Sequence, residues 1–162
     1  MSFLFFSKNI KINKMEKIII YTDGGSRGNP GPAAIGVVIC NEKGEEIKKY
    51  SEYIGEATNN EAEYRAVIFA LKKVKQLFGK KKVRDLEIEI NSDSELLVSQ
   101  LRGLYKILEP RIGELFLKVW NLKIDFKNVI FNLIPRGRNK TADKLVNEAL
   151  DNQTKIQRLT LN

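Results

Sequence analysis

Three strand-like runs stand in a row before any helical period begins. Lys17–Asp23 carries Ile18, Ile19 and Ile20, apolar on both faces, and stops at a Gly cluster. Pro30–Cys40 is a second apolar run, and the turn Asn41-Glu42-Lys43-Gly44 returns it as a third over Glu45–Ile54, an antiparallel hairpin. Only from Asn60 to Phe78 does the apolar period become 3.6, with Gly79 as the stop. Leu86, Ile88 and Ile90 then alternate with Glu87, Glu89 and Asn91 as a fourth strand. Ser94–Arg102 and Pro110–Leu122 read as helices, Asn128–Ile134 as a last strand ended by Pro135, and Asn139–Asn152 as a final helix. The order β-β-β-α-β-α-α-β-α calls for an α/β fold. Its five-stranded mixed sheet has three antiparallel strands followed by parallel ones, flanked by about four helices.

The chain's 162 residues and 18.5 kDa support one core, which the pattern places in residues 15–152. Residues 1–14 read as a disordered extension or an upstream start, with Met15 as the natural beginning. Residues 153–162 carry little pattern and read as a C-terminal tail, mobile or docked on an edge. Several chemistries are excluded. With no His there is no Ser-His-Asp or Cys-His machinery and no His-ligated zinc. A single Cys forms no internal disulfide, and Cys40, inside the apolar run Ala33–Cys40, reads as a core residue of a protein in a reducing compartment. No apolar stretch approaches the ~20 residues of a membrane span, and Phe3-Leu4-Phe5-Phe6 is too short for a signal peptide. The expectation is a cytoplasmic monomer with no membrane and no obligate protein partner. Lys and Arg number 28 against 20 Asp and Glu, and the net charge of +8 favours a polyanion, nucleic acid before acidic membrane.

Acids fall where folding alone would not choose them. Of six Asp, Asp23 ends the first strand, Asp93 ends the fourth and Asp143 opens the final helix. Taken singly, each serves as a cap or turn former. Glu63 is different, because it heads the stripe Val67, Ala70, Val74 and Leu77 on the inward face of its helix, where a lone charge is costly. Glu61 lies in line with Arg65 and Lys72 and reads as solvated. Asp143 likewise heads a stripe through Val146 and Leu150. Two carboxylates ~4 Å apart repel by ~4 kcal/mol at an effective dielectric near 20, so four converging acids need protons or a cation. Oxygen ligands without imidazole or thiolate point to Mg²⁺, with Mn²⁺ as a substitute. Two such ions ~4 Å apart activate a water and stabilise a leaving oxygen in phosphodiester cleavage.

At this point the motifs identify a relative. Tyr21-Thr22-Asp23-Gly24-Gly25-Ser26-Arg27-Gly28-Asn29-Pro30-Gly31-Pro32 resembles the first signature of type 1 ribonuclease H. Thr58-Asn59-Asn60-Glu61-Ala62-Glu63 is similar to its T-N-N-x-x-E segment, Ser92-Asp93-Ser94 to its third motif, and Asn139-Lys140-Thr141-Ala142-Asp143-Lys144-Leu145 to its fourth. The resemblance implies a ribonuclease H-like fold and places the family's acidic tetrad on Asp23, Glu63, Asp93 and Asp143. Asp23 would bridge both metals, Glu63 and Asp93 would complete the leaving-group side, and Asp143 would join the nucleophile-side ion. The implied activity is two-metal cleavage of the RNA strand of an RNA–DNA hybrid, leaving 5′-phosphate and 3′-hydroxyl ends. A catalytically silent hybrid- or duplex-binding module and another nuclease of the superfamily are the alternatives.

By the same resemblance, Gly24, Gly25, Ser26, Asn29, Asn59 and Asn60 would contact the RNA strand, whose 2′-hydroxyl distinguishes it from DNA. Thr58 matches a residue of the family's DNA-phosphate pocket and serves equally well as a helix cap. Arg136 and Arg138 precede the fourth motif and could reach a phosphate, with a solvated loop as the other reading. Lys72, Lys73, Lys75 and Lys80–Lys82 also suit the end of a helix dipole. Phe116, Leu117 and Trp120 read as helix core. Two departures mark a shorter branch of the family: the loop Pro135–Asn139 lacks a His, and no Trp- and Lys-rich substrate handle lies between the middle helices.

Overall fold

The first two strands alternate so that Ile18, Ile20, Val37 and Ile39 share one buried face. In this computed structural model, which describes residues 16–161, β1 (Lys17–Ser26) pairs antiparallel with β2 (Gly31–Asn41), and β2 with β3 (Glu46–Ala57). β4 (Glu87–Ser92) and β5 (Asn128–Leu133) add in parallel on the other side of β1, giving the order β3-β2-β1-β4-β5. The five-stranded mixed sheet expected from the element order is present. The reading of residues 1–14 lies outside the described residues.

Among the described residues, helices α1 (Asn59–Phe78), α2 (Lys80–Val83), α3 (Glu95–Leu101), α4 (Pro110–Lys123) and α5 (Lys140–Thr160) make five where about four were expected. The extra one is a single turn. Gly79, at φ +83°, ends α1 with its N–H on the Lys75 carbonyl, and the chain restarts a helical turn that buries Val83. The main core lies between the sheet and α1, α3 and α4. Ile18, Ile20, Val37, Ile39, Ile88 and Ile90 meet Val67, Leu71 and Val74 there, at ~1.5–3 kcal/mol for each large side chain buried. The opposite face carries a smaller cluster, in which Ala34 meets Val146, Ala149 and Leu150 of α5.

Three expectations are corrected. The final helix does not stop at Asn152 but continues to Thr160, so the tail is helical over most of its length. Gln153, Lys155, Gln157 and Arg158 are good helix formers that need no buried stripe, and Ile156 and Leu159 stay exposed. Leu77 is exposed because the inward stripe of α1 ends at Val74. Trp120 and Leu117 are also exposed, because the buried line of α4 runs through Ile112 and Val119. Trp120 sits one residue, 100° of rotation, beyond that line. It stacks on Phe116 at 5.8 Å, with the Lys123 ammonium 4.3 Å over its ring.

Candidate active site

Four local devices set the positions of the acids. Asp23 lies near the end of β1, beside the edge it shares with parallel β4, where the Gly24 N–H donates to its Oδ1 at 3.0 Å. Glu63 lies in the first turns of α1, whose start is fixed by the Thr58 hydroxyl accepting from the Glu61 N–H at 3.2 Å. β1 and α1 touch backbone to backbone: a Cβ on Gly24 would lie 2.3 Å from the Ala62 carbonyl. Only glycine permits this approach, and it sets the two carboxylates side by side. Asp93 follows β4, in a bend where Ser92 Oγ accepts from the Ser94 N–H at 3.1 Å and the Ser94 hydroxyl caps α3. Asp143 opens α5. Asn139, buried just before it, donates Nδ2 to the Thr22 carbonyl at 2.9 Å and accepts from the Asp143 N–H at 3.1 Å, which ties the fourth acid to the strand of the first.

Carboxylate oxygens of Asp23, Glu63 and Asp93 lie within 4.8 Å of one another. Asp143 is exposed and stands outside that group, yet lines the same cleft of about 610 Å³. Burial, and then the charges of Asp93 and Asp143, push the Asp23 carboxyl up to about 7. Burial, followed by the charges of Asp23 and Asp93, raises Glu63 well above the usual carboxylate range. One Glu63 oxygen, Oε2, is buried without a hydrogen-bond partner. An orphaned carboxylate oxygen on a residue grouped with two other carboxylates fits a hard divalent cation, the ligand class that all-oxygen donors select.

Of the expected substrate contacts, Gly24, Gly25, Ser26 and Asn59 line this cleft. Asn59 Oδ1 accepts from the Ser26 N–H at 2.9 Å, and Asn29 Oδ1 accepts from the Asn59 N–H at 3.1 Å. The two Asn therefore lock the Gly-rich turn to the start of α1. Thr58 serves as the helix cap, and Asn60 has a buried, unpartnered Oδ1. Arg136 lines the cleft. Arg138 does not: it lines a separate pocket of about 190 Å³ with Tyr21, Cys40 and Glu46, because the 3₁₀ turn Arg136–Arg138 sets the two side chains in different directions.

The segment from Tyr21 to Ala149 matches the family model described as reverse transcriptase-like. LC11-RNase H1, isolated from compost by a metagenomic approach, superposes with a TM-score of 0.81 at 52% identity, covering 86% of this chain and 99% of that one. That relative has also been solved in complex with an RNA/DNA hybrid. This chain belongs to the type 1 ribonuclease H family. RNase H1 of the halophilic archaeon Halobacterium salinarum superposes with a TM-score of 0.78 at 37% identity, covering 84% of this chain and 98% of that one. A bifunctional protein of Mycobacterium tuberculosis is 37% identical over 136 residues. The chain spans 36% of that relative's length and 65% of the Halobacterium salinarum ribonuclease HI, against 83% of its own.

Within the family frame, the connection between α3 and α4 is a short loop. Buried Gln100 accepts from the Tyr64 hydroxyl and donates to the Lys106 carbonyl, closing that loop onto α1. The cleft also includes Arg27, Lys140 and Asn147, which sequence reasoning passed over. Each carried a signal: Arg27 sits inside the Gly-rich signature, Lys140 inside the fourth motif, and Asn147 four residues after Asp143 on the same helical face.

Proposed function

We propose that this chain is an endoribonuclease that hydrolyses the RNA strand of RNA–DNA hybrids, leaving 5′-phosphate and 3′-hydroxyl ends. One observation carries the reading: three acids from three separate elements bring their oxygens within 4.8 Å, at the floor of a cleft that also holds Arg27, Arg136 and Lys140. Asp23, Glu63 and Asp93 would hold Mg²⁺ or Mn²⁺, and Asp143, which lines the same cleft, would complete a second ion's site. Divalent ions so held supply Lewis-acid stabilisation of the attacking water and of the leaving 3′-oxygen. The chain itself contributes the rest. Arg136 and Lys140 neutralise phosphates, while Ser26, Asn59 and the amides of Gly24 and Gly25 offer polar contacts to the sugar edge where the 2′-hydroxyl lies. Residues 15–152 are the proposed catalytic unit, working as a monomer in the cytoplasm, where the buried thiol of Cys40 stays reduced. Among the described residues no helix is long and apolar enough to cross a membrane.

Incubation of the full chain with end-labelled hybrid, duplex RNA and duplex DNA, with and without Mg²⁺ or Mn²⁺, tests this. The expected result is divalent-dependent cutting of the RNA strand of the hybrid, with Asp23→Asn reducing it by at least about 100-fold, as loss of a direct ligand exceeds loss of an outer partner. An Asp23→Asn variant that cuts like wild type overturns the metal site. A wild type that binds hybrid without cutting it makes the chain a binding module.

A further inference from the structure

We infer that Arg27 binds a phosphate of the substrate and that Asp151 aims its guanidinium into the cleft; the inference rests on the reading of that cleft as a hybrid-binding site. Arg27 sits in the turn between β1 and β2, and its backbone is held by its N–H donating to the Pro32 carbonyl at 2.8 Å. The side chain lines the cleft that has Asp23, Glu63 and Asp93 at its floor. One nitrogen, Nη2, meets Asp151 Oδ1 at 2.6 Å, with the two side chains 44% and 59% exposed. The contact is single, so the other N–H groups of the guanidinium remain available. A planar fork with donors to spare is the side chain best suited to a phosphate diester.

Asp151 does not line the cleft itself but follows two residues that do on the same helix. Asp143, Asn147 and Asp151 follow at i, i+4 and i+8 on one face of α5, and the Asn147 amide donates to the Asp143 carbonyl at 3.0 Å. A carboxylate on that face would repel a polyanion unless a cation masked it, and Arg27 is the cation in contact. The pair also joins two parts of different standing. Arg27 lies within the segment that matches the family model, whereas Asp151 lies two residues past its end, further along the same helix α5. A solvated ion pair of this kind contributes little to stability, so its consequence is the direction in which Arg27 points. Arg136 and Lys140 also line the cleft and pair with no carboxylate among the described residues. A phosphate backbone in the cleft would then meet three cations, Arg27, Arg136 and Lys140, beside the acids.

The experiment compares wild type, Arg27→Gln, Arg27→Lys, Asp151→Asn and the Arg27→Gln/Asp151→Asn double variant, all as full chains. Steady-state kcat and KM on hybrid are measured with Mg²⁺. Equilibrium binding of the same hybrid is measured without divalent ion across a KCl series, and thermal midpoints serve as the folding control. Arg27→Gln should raise KM about fivefold to tenfold with kcat unchanged, as loss of one charged hydrogen-bonded contact does. It should also flatten the log–log salt dependence by about one unit. Arg27→Lys should restore the slope and only part of KM. Asp151→Asn should raise KM about twofold to threefold, and the double variant should match Arg27→Gln alone. An Arg27→Gln variant with unchanged KM and slope overturns the proposal, as does an Asp151→Asn variant that binds hybrid more tightly, since Asp151 would then compete with phosphate. If wild type neither binds nor cuts hybrid, the reading of the cleft fails and this inference with it. Wild-type cutting alongside an unaffected Arg27→Gln ends this inference alone.

Discussion

Glu63 occupies a helix position where packing alone would select an aliphatic side chain, and the cost reappears as a pH dependence. In the folded chain Asp23 holds its proton up to about 7, whereas unfolded it releases it near 3.8, the ordinary value for an aspartate. Between these values the native state binds more protons than the unfolded one, so stability falls as pH rises. The full effect, about three pH units, is on the order of 4 kcal/mol, and Glu63 acts in the same direction. In chelator-treated protein, wild type and Asp23→Asn should therefore melt at similar temperatures near pH 4. By pH 7 the variant should be the more stable by several degrees. Adding Mg²⁺ should close the gap, because ions that bind only the native site stabilise it by mass action. A gap independent of pH, followed by thermal melting with and without chelator, would rule out the coupled acid cluster. The sequence singled out Glu63 over Glu61 because helical periodicity sorts inward from outward positions. It read Glu61 as solvated, yet that side chain is 12% exposed and pairs with Arg111 at 3.4 Å. That contact joins α1 to α4, and no local pattern within either helix encodes it.

At the level of elements, two close approaches hold the acids in register. Gly24 meets the Ala62 carbonyl of α1, and on β2 a Cβ at Gly36 would stand 2.2 Å from the Ala142 carbonyl of α5. The sheet is therefore clamped on one face to the helix bearing Glu63 and on the other to the helix bearing Asp143. Gly36→Ala should push α5 off the sheet at a cost of about 1–3 kcal/mol, the usual range for overpacking. Activity should fall by more than the stability loss alone explains, because Asp143 moves with the helix. Gly113→Ala is the matched control. It lies in α4, where an added Cβ meets nothing within 4 Å, so it should stabilise by ~0.5–1 kcal/mol and leave cutting unchanged. Denaturant titration together with initial rates separates the two variants; equal effects on both would show that the Gly36 contact is incidental. The order of elements along the chain and the helix starts were legible because period, caps and turns are local signals. The extent of α5 was not, since its last turns bury little and leave no apolar stripe to read. Trp120 failed for the converse reason: an aromatic residue beside a buried line looks like core until the helix is rotated against its neighbours.

Across the molecule, two zones of cations among the described residues stand apart, and only one of them lines the cleft with the acids. Arg27, Arg136 and Lys140 surround the cleft, whereas Lys80, Lys81 and Lys82 follow the far end of α1, about 25 Å along the helix axis from Glu63. Sequence alone could not separate these zones, because a run of lysines reads the same whether it meets a phosphate or completes a helix dipole. Their separation exceeds the Debye length of ~8–10 Å near physiological salt, so the two zones act independently on a ligand confined to the cleft. Hybrid affinity should fall linearly on a log–log plot against salt, with about 0.9 of slope for each phosphate neutralised. Arg136→Gln and Lys140→Gln should each remove about one such increment. Substituting Lys80, Lys81 and Lys82 together by Gln should leave the slope for a hybrid one helical turn long nearly unchanged. If the triple variant loses as much slope as the cleft variants, the duplex runs down α1 and the lysine run belongs to its binding face. In that case a chain lacking the handle between its middle helices has relocated that basic surface to the far end of the first one.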